Sequence, residues 1–133
     1  IWDMTKVTQV FLTRCRPESI GLSSIGGQLQ TIAPQEPKGL HLLLGNGSRR
    51  VTAAIAPGLL QTVGIESAME MLLGQSFAVA TVPCVLALDG EREVEVRKDR
   101  QVSVRLSDQG PLVIDVAKTM EAAQKSGVFV KTV

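Results

Sequence analysis

Residues 40–55 read LHLLLGNGSRRVTAAI. Leu40 to Leu44 form a short apolar run of the length expected for a buried strand. Gly45-Asn46-Gly47-Ser48 follows, and Asn-Gly supplies two residues that tolerate positive φ, so a turn is expected there. Arg49 to Ile55 then predicts the returning strand. This hairpin sets the expectation of a sheet, and the flanking sequence extends it in both directions.

Downstream, Ala56-Pro57-Gly58 predicts another turn and Leu59 to Ile65 an extended segment. Glu66 to Leu73 is built from helix-favouring residues, but it is short, flanked by Gly64 and Gly74, and surrounded by sheet-like sequence, so it is read as strand. Phe77–Ala80 and Cys84–Leu88 are strand candidates separated near Pro83. From Glu93 to Leu106, Val94 and Val96 alternate with charged residues, Lys98-Asp99-Arg100 turns, and Val102, Val104 and Leu106 alternate again. That pattern predicts a hairpin with one face buried. Pro111 to Ile114 predicts a last short strand. Asp115 to Ser126 reads as a helix, with Asp115 as N-cap, apolar residues at helical spacing and Gly127 as C-cap. Upstream, Lys6 to Thr13 predicts a strand, and Ser19 to Leu29 a short helix with a Gly-Gly end that starts near Pro17. The expected fold is mainly β with flanking helices (α+β), a single β-rich domain over residues 1–133 arranged as a β-sandwich-like assembly.

Bulk properties narrow the function. The 133 residues suffice for one core, and 44% hydrophobic with 20% charged residues is an ordinary globular composition. A formal charge of +1 argues against nucleic acid or anionic lipid as partner, and the absence of Tyr argues against base stacking. No apolar run is long enough to span a bilayer. Cys15 and Cys84 lie outside any CxxC pattern and read as reduced core thiols, which favours a cytoplasmic setting. The chain opens at Ile1 rather than Met, as expected of a segment of a longer two-domain protein.

Two stretches can carry chemistry. Leu86-Ala87-Leu88-Asp89-Gly90-Glu91-Arg92 is an apolar strand ending abruptly in an acidic turn. Gly90 permits close approach, Asp89 and Glu91 can face a magnesium ion or ribose hydroxyls, and Arg92 can neutralise phosphate. A plain hairpin turn also explains Asp-Gly. Ser19-Ile20-Gly21-Leu22-Ser23-Ser24-Ile25-Gly26-Gly27 offers bare backbone at Gly21, Gly26 and Gly27 and small hydroxyls at Ser19, Ser23 and Ser24. Free N–H groups at a helix start would suit an anion; a glycine-rich packing connection explains the same residues. No GK[ST] follows, so it is not a P-loop. Arg49 and Arg50 read as a solvated turn or, at most, rim ligands for phosphate. His41, the single histidine, lies in an apolar strand without metal-ligand spacing and reads as a packing residue.

Together with Val51-Thr52-Ala53-Ala54-Ile55-Ala56-Pro57-Gly58 and Gly110-Pro111, these two stretches resemble the C-terminal region of the acetoin-catabolism protein X family, a branch of the NAD-kinase-like and diacylglycerol-kinase-like superfamily. The resemblance runs through nearly the whole chain. It implies the β-sandwich C-terminal domain of the NAD-kinase-like fold, which completes an ATP or NAD(P) cleft, with Mg2+, against an N-terminal α/β domain. Asp89, Gly90 and Glu91 match an Asp-Gly-Glu stretch that lies by nucleotide phosphates in the superfamily's lipid kinases. Ser19 to Gly27 holds the place of a dinucleotide-contacting segment but lacks its Thr-Ala-Tyr portion. The superfamily's Gly-Gly-Asp-Gly-Thr phosphate loop is absent from this sequence, so the chain alone is expected to be inactive. The resemblance also implies a homo-oligomer. The alternatives are a non-catalytic oligomerisation domain and a metabolite-sensing β domain.

Overall fold

A computed structural model describes residues 3–132. A 3-10 turn, Met4–Lys6, precedes β1 (Gln9–Leu12) and α1 (Leu22–Gly27). Six strands follow: β2 (Lys38–Ala56), β3 (Leu59–Leu72), β4 (Ser76–Ala78), β5 (Cys84–Leu88), β6 (Arg92–Val96) and β7 (Ser103–Arg105); α2 (Val116–Lys125) comes last. The chain is mainly β. Its strands form a central sheet in the order β1-β2-β3 and two separate pairs, β4-β7 and β5-β6, all antiparallel.

The organising element is β2, which runs for 19 residues. Its hairpin with β3 turns at Pro57-Gly58, where Gly58 takes φ +74°. The turn expected at Gly45–Ser48 is corrected: the strand continues through those residues as an irregularity, with Leu44 and Arg49 both opposite Ile65. Close backbone approach is the reason. A side chain at Gly64 would overlap the Gly45 carbonyl, and one at Gly47 would overlap the Ile65 carbonyl. These glycines therefore admit two crossing backbones instead of a chain reversal. The extra residues also shift the side-chain alternation. The core takes Leu40, Leu42 and Leu44 before the bulge, and Val51, Ala53 and Ile55 after it.

That core lies between one sheet face and α1, with Ile25 and Ile32 fully buried. The other face of the first half of β2 is also covered. His41 stacks on Phe11 at 4.6 Å between ring centroids and meets Phe77 of β4 at 4.8 Å. A strand buried on both faces reads as a continuous apolar run, which is what LHLLL is. Gln9 fastens β4 to β1: its Nε2 donates to the Ala78 carbonyl at 3.1 Å, and its Oε1 accepts from Ala80 N at 2.8 Å.

The hairpin expected within Glu93–Leu106 is also corrected. β6 pairs with β5 across Asp89-Gly90, and β7 pairs with β4. Lys98–Arg100 links strands of different sheets. Asp89 at φ 52° and Gly90 at φ 74° form the primed turn that matches strand twist, giving β6 a nearer partner in sequence than Val102–Leu106. Other boundaries move locally. The Asp3 carboxylate accepts from Thr5 N and holds a 3-10 turn that takes in Lys6, the first residue of the expected strand, which begins instead at Gln9, and α1 starts at Leu22 rather than near Pro17. Glu66–Leu72 is strand, as expected. Pro111–Ile114 belongs to no strand. Asp115 caps α2 by accepting from Lys118 N, and Gly127 ends it, with Val128 N donating to the Ala123 carbonyl.

Cys15 is buried, and burial pushes its thiol pKa up; Cys84 is half-buried on the β5-β6 pair, so only Cys15 is a core thiol. His41 is 3% exposed. Gln9 Nε2 lies 3.0 Å from His41 Nε2. As an amide nitrogen it donates, which places the ring proton on Nδ1, a buried atom with no partner among the described residues. Burial holds the His41 pKa below its ordinary 6.5. The unfolded chain then binds more protons, so stability is full above 6.5 and falls as pH drops through that value towards the folded pKa. Urea midpoints should decline from pH 7.5 to about 5, at no more than about 1.4 kcal/mol per pH unit, and His41→Phe should flatten the decline. Glu36 and Glu70 have pKa values lowered from 4.5 by hydrogen bonds, from Ala33 N first for Glu36 and from Gln30 first for Glu70, so their losses come at lower pH. An unchanged slope in His41→Phe would assign the effect elsewhere.

Candidate functional site

The serine-glycine segment folds as a packed connection between β1 and the central sheet. Ser19 Oγ accepts from Arg16 N at 3.2 Å. Gly21, at φ +91°, caps α1 and donates its N–H to the Ala54 carbonyl at 2.9 Å. Ser23 Oγ donates to the Ile20 carbonyl at 3.4 Å. Ser24 is fully buried, its hydroxyl lying 2.6 Å from the Gly21 carbonyl and 3.1 Å from that of Ala54. A side chain at Gly26 would crowd Leu12, Leu40 and Cys15, and one at Gly27 would overlap the Arg16 carbonyl. Ser24, Gly26 and Gly27 are thus committed to the fold, whereas Ser19, Gly21 and Ser23 keep partial access to solvent. The helix has only six residues, too few for its start to serve as an anion site by itself.

Asp89, Gly90 and Glu91 stand together at the tip of the β5-β6 hairpin. Glu91 N donates to the Leu88 carbonyl at 3.1 Å and closes the turn. All three residues are exposed, and a side chain added at Gly90 would meet nothing within 4 Å. Neither carboxylate forms an ion pair among the described residues. No hydrogen bond among the described residues joins this tip to Ser19–Gly27. Nor does any group of three or more His, Cys, Asp or Glu among them form a metal site. Magnesium takes one or two carboxylates together with phosphates and water. Asp89 and Glu91 therefore suit it only alongside a nucleotide held by other groups.

Sequence reasoning missed a third feature. A concave surface of about 670 Å³ is lined by Asp3, Thr8, Asn46, Arg50, Gln61 and Thr62, among others, and includes neither stretch discussed above. Its signal was Arg49-Arg50 after a glycine-rich run, which reads as a solvated turn until the strand is seen to continue through it.

Comparison with known proteins fits this chain into a family. Residues 1–109 match the family model described as the acetoin catabolism protein X C-terminal domain. A protein of Cupriavidus necator named acetoin catabolism protein X is 36% identical over 126 residues, which is 92% of this chain and 35% of that protein. The chain thus spans about a third of the length of that relative. No solved structure matches. No helix among the described residues is long and apolar enough to cross a membrane. The sequence match over most of the chain, together with this relative, establishes that the chain belongs to the acetoin catabolism protein X C-terminal domain family.

Proposed function

We propose that this domain serves acetoin catabolism as one wall of a nucleotide cleft in a longer protein, the opposite wall coming from an N-terminal domain. The observation that carries this reading is the β5-β6 tip: two carboxylates flank a bare glycine, open to solvent and without an ion-pair partner among the described residues. ATP or NAD(P) with Mg2+ is the ligand this tip suits, with Asp89 and Glu91 facing magnesium or ribose hydroxyls and Gly90 admitting the phosphates. Ser19, Gly21 and Ser23 would line the cleft, while Ser24, Gly26 and Gly27 would shape it from beneath. An NAD-kinase-like fold with a sandwich-like C-terminal half accommodates the mainly β architecture. Kinase-like phosphoryl transfer would need the phosphate-binding groups of the other wall, since that chemistry is chiefly positioning and charge neutralisation. This chain alone is then inactive. Two unpaired cysteines support a cytoplasmic setting.

Isothermal titration of the full-length protein with Mg-ATP and with Mg-NADP tests the reading. One of them should bind, and Asp89→Ala should weaken it at least about tenfold, or about 1.4 kcal/mol. Absent heat, or an unchanged affinity in Asp89→Ala, would overturn it. A self-associating, non-catalytic domain is the second reading, favoured by Leu60 standing 68% exposed on β3. A protein that binds neither nucleotide yet sediments as an oligomer would move the conclusion there.

A further inference from the structure

The concave surface beside Arg50 arises where two backbones part. The last rung between them is Leu44 N donating to the Thr8 carbonyl at 2.9 Å. Before Thr8 the chain turns away through the 3-10 turn that Asp3 caps. Beyond Leu44, β2 enters its irregular stretch, which β1 does not reach. The 3-10 turn, that stretch and residues 61–64 of β3 therefore border a hollow of about 670 Å³. Sites for small organic molecules measure about 300–1,000 Å³ and set a few polar groups around apolar walls. An inorganic ion would leave most of such a space unfilled.

Its floor is the margin of the core: Leu44 and Val63 line it and are 8% and 7% exposed. Its polar lining includes Thr8, Asn46, Arg50 and Gln61. None of these four side chains forms a hydrogen bond or ion pair among the described residues, so the fold does not employ them. Charge selects the ligand. Arg50 is the one cation lining the hollow among the described residues, and a guanidinium fork matches a carboxylate or a phosphate through two parallel hydrogen bonds. Two acids stand nearby. Asp3 lines the hollow but is committed to its own turn, accepting from Thr5 N at 3.1 Å and Thr5 Oγ1 at 2.6 Å, with Lys6 Nζ 3.6 Å away. Those bonds, the Thr5 hydroxyl first, hold its pKa below the ordinary 3.8, so it is charged at neutral pH. The Glu66 carboxylate lies against Gly45, where a side chain would overlap it. A phosphate monoester carries about −1.5 to −2 charges at pH 7, and would meet one cation and two anions. A carboxylate carries a single charge, which Arg50 balances.

We infer that this hollow binds a small organic monocarboxylate, its carboxylate on Arg50, its apolar body over Leu44 and Val63, and the Asn46 and Gln61 amides available to further oxygens on it. None of the residues given to the nucleotide cleft takes part, and the test below contains no nucleotide. Failure of either reading therefore leaves the other standing.

Saturation-transfer NMR titration of the full-length protein is the test, with hexanoate as the probe. Hexanoate should bind, and Arg50→Gln should weaken it at least about tenfold, as expected when a hydrogen bond to a charged group is lost. Arg50 is exposed, so that variant should keep the wild-type urea midpoint. Arg49→Gln, one residue away and outside the lining, should bind hexanoate as wild type does. Two further probes require no substitution. Hexanamide, of the same shape without the charge, and hexyl phosphate, with more charge, should each bind at least about tenfold more weakly than hexanoate. No saturation transfer to hexanoate, equal losses in Arg49→Gln and Arg50→Gln, or hexanamide or hexyl phosphate binding as tightly as hexanoate would each overturn the inference.

Discussion

Gly64→Ala is expected to destabilise the chain by about 3 kcal/mol, the upper end of what overpacking costs. The added carbon would fall on the Gly45 carbonyl oxygen. That oxygen is main chain in the irregular stretch between the paired residues Leu44 and Arg49, so no rotamer change relieves the overlap. The strands must separate at the bulge, which weakens pairing on both sides. Gly110→Ala is the matched control, because its added carbon meets nothing within 4 Å; its effect should stay within about 0.5 kcal/mol. Urea denaturation of the two variants gives the comparison. If residues 45–48 formed a simple turn, Gly64 would sit in an open strand, where alanine is neutral or mildly favourable. A Gly64→Ala midpoint equal to that of wild type would therefore refute the continuous path of β2.

Leu42→Ala is expected to cost about 2–5 kcal/mol through lost burial and the cavity left behind. Leu42 has 0% exposure and sits mid-sheet, with Val10 of β1 and Ala68 of β3 directly beside it. Sheet and α1 enclose it together with Leu40 and Ile25, so little can collapse into the gap. Domains of this kind have about 5–15 kcal/mol in total, so the loss would be a large fraction of the fold. Leu72→Ala, at a residue 57% exposed on the same sheet, removes the same atoms mostly from solvent and should cost under about 1 kcal/mol. Equal losses at the two positions would place the core elsewhere.

Much of the architecture is legible in the sequence because short β-rich runs and glycine turns are local signals. Asp115 and Gly127 mark α2 because caps act within one turn. Residues 66–72 are recognisable as strand only from context, since Glu, Met and Ala individually prefer helix and are overridden by pairing with β2. The two errors of strand pairing share a cause. Asn46-Gly47 looks like a turn but stays in the strand, and Lys98-Asp99-Arg100 does turn, with Arg100 N donating to the Arg97 carbonyl, but joins strands of different sheets; the pairings that decide both lie elsewhere along the chain: Ile65 opposite Leu44 and Arg49, and Cys84–Leu88 opposite Arg92–Val96. The candidate site divides in the same way. The exposed acidic tip follows from Asp-Gly turn chemistry. The burial of Ser24, Gly26 and Gly27 could not be read from the sequence, because glycine-rich segments look alike whether they approach a ligand or a neighbouring leucine.

The Gln9 side chain, bonded to the Ala78 carbonyl and the Ala80 amide, presents to β4 the same donor and acceptor pair that a neighbouring peptide would. A short strand paired only with β7 would otherwise leave that margin as a template for polymer growth, on which unfolded or foreign strands could add. One amide side chain caps the margin without requiring another strand, so protection from fibre-like stacking is built into β1 itself.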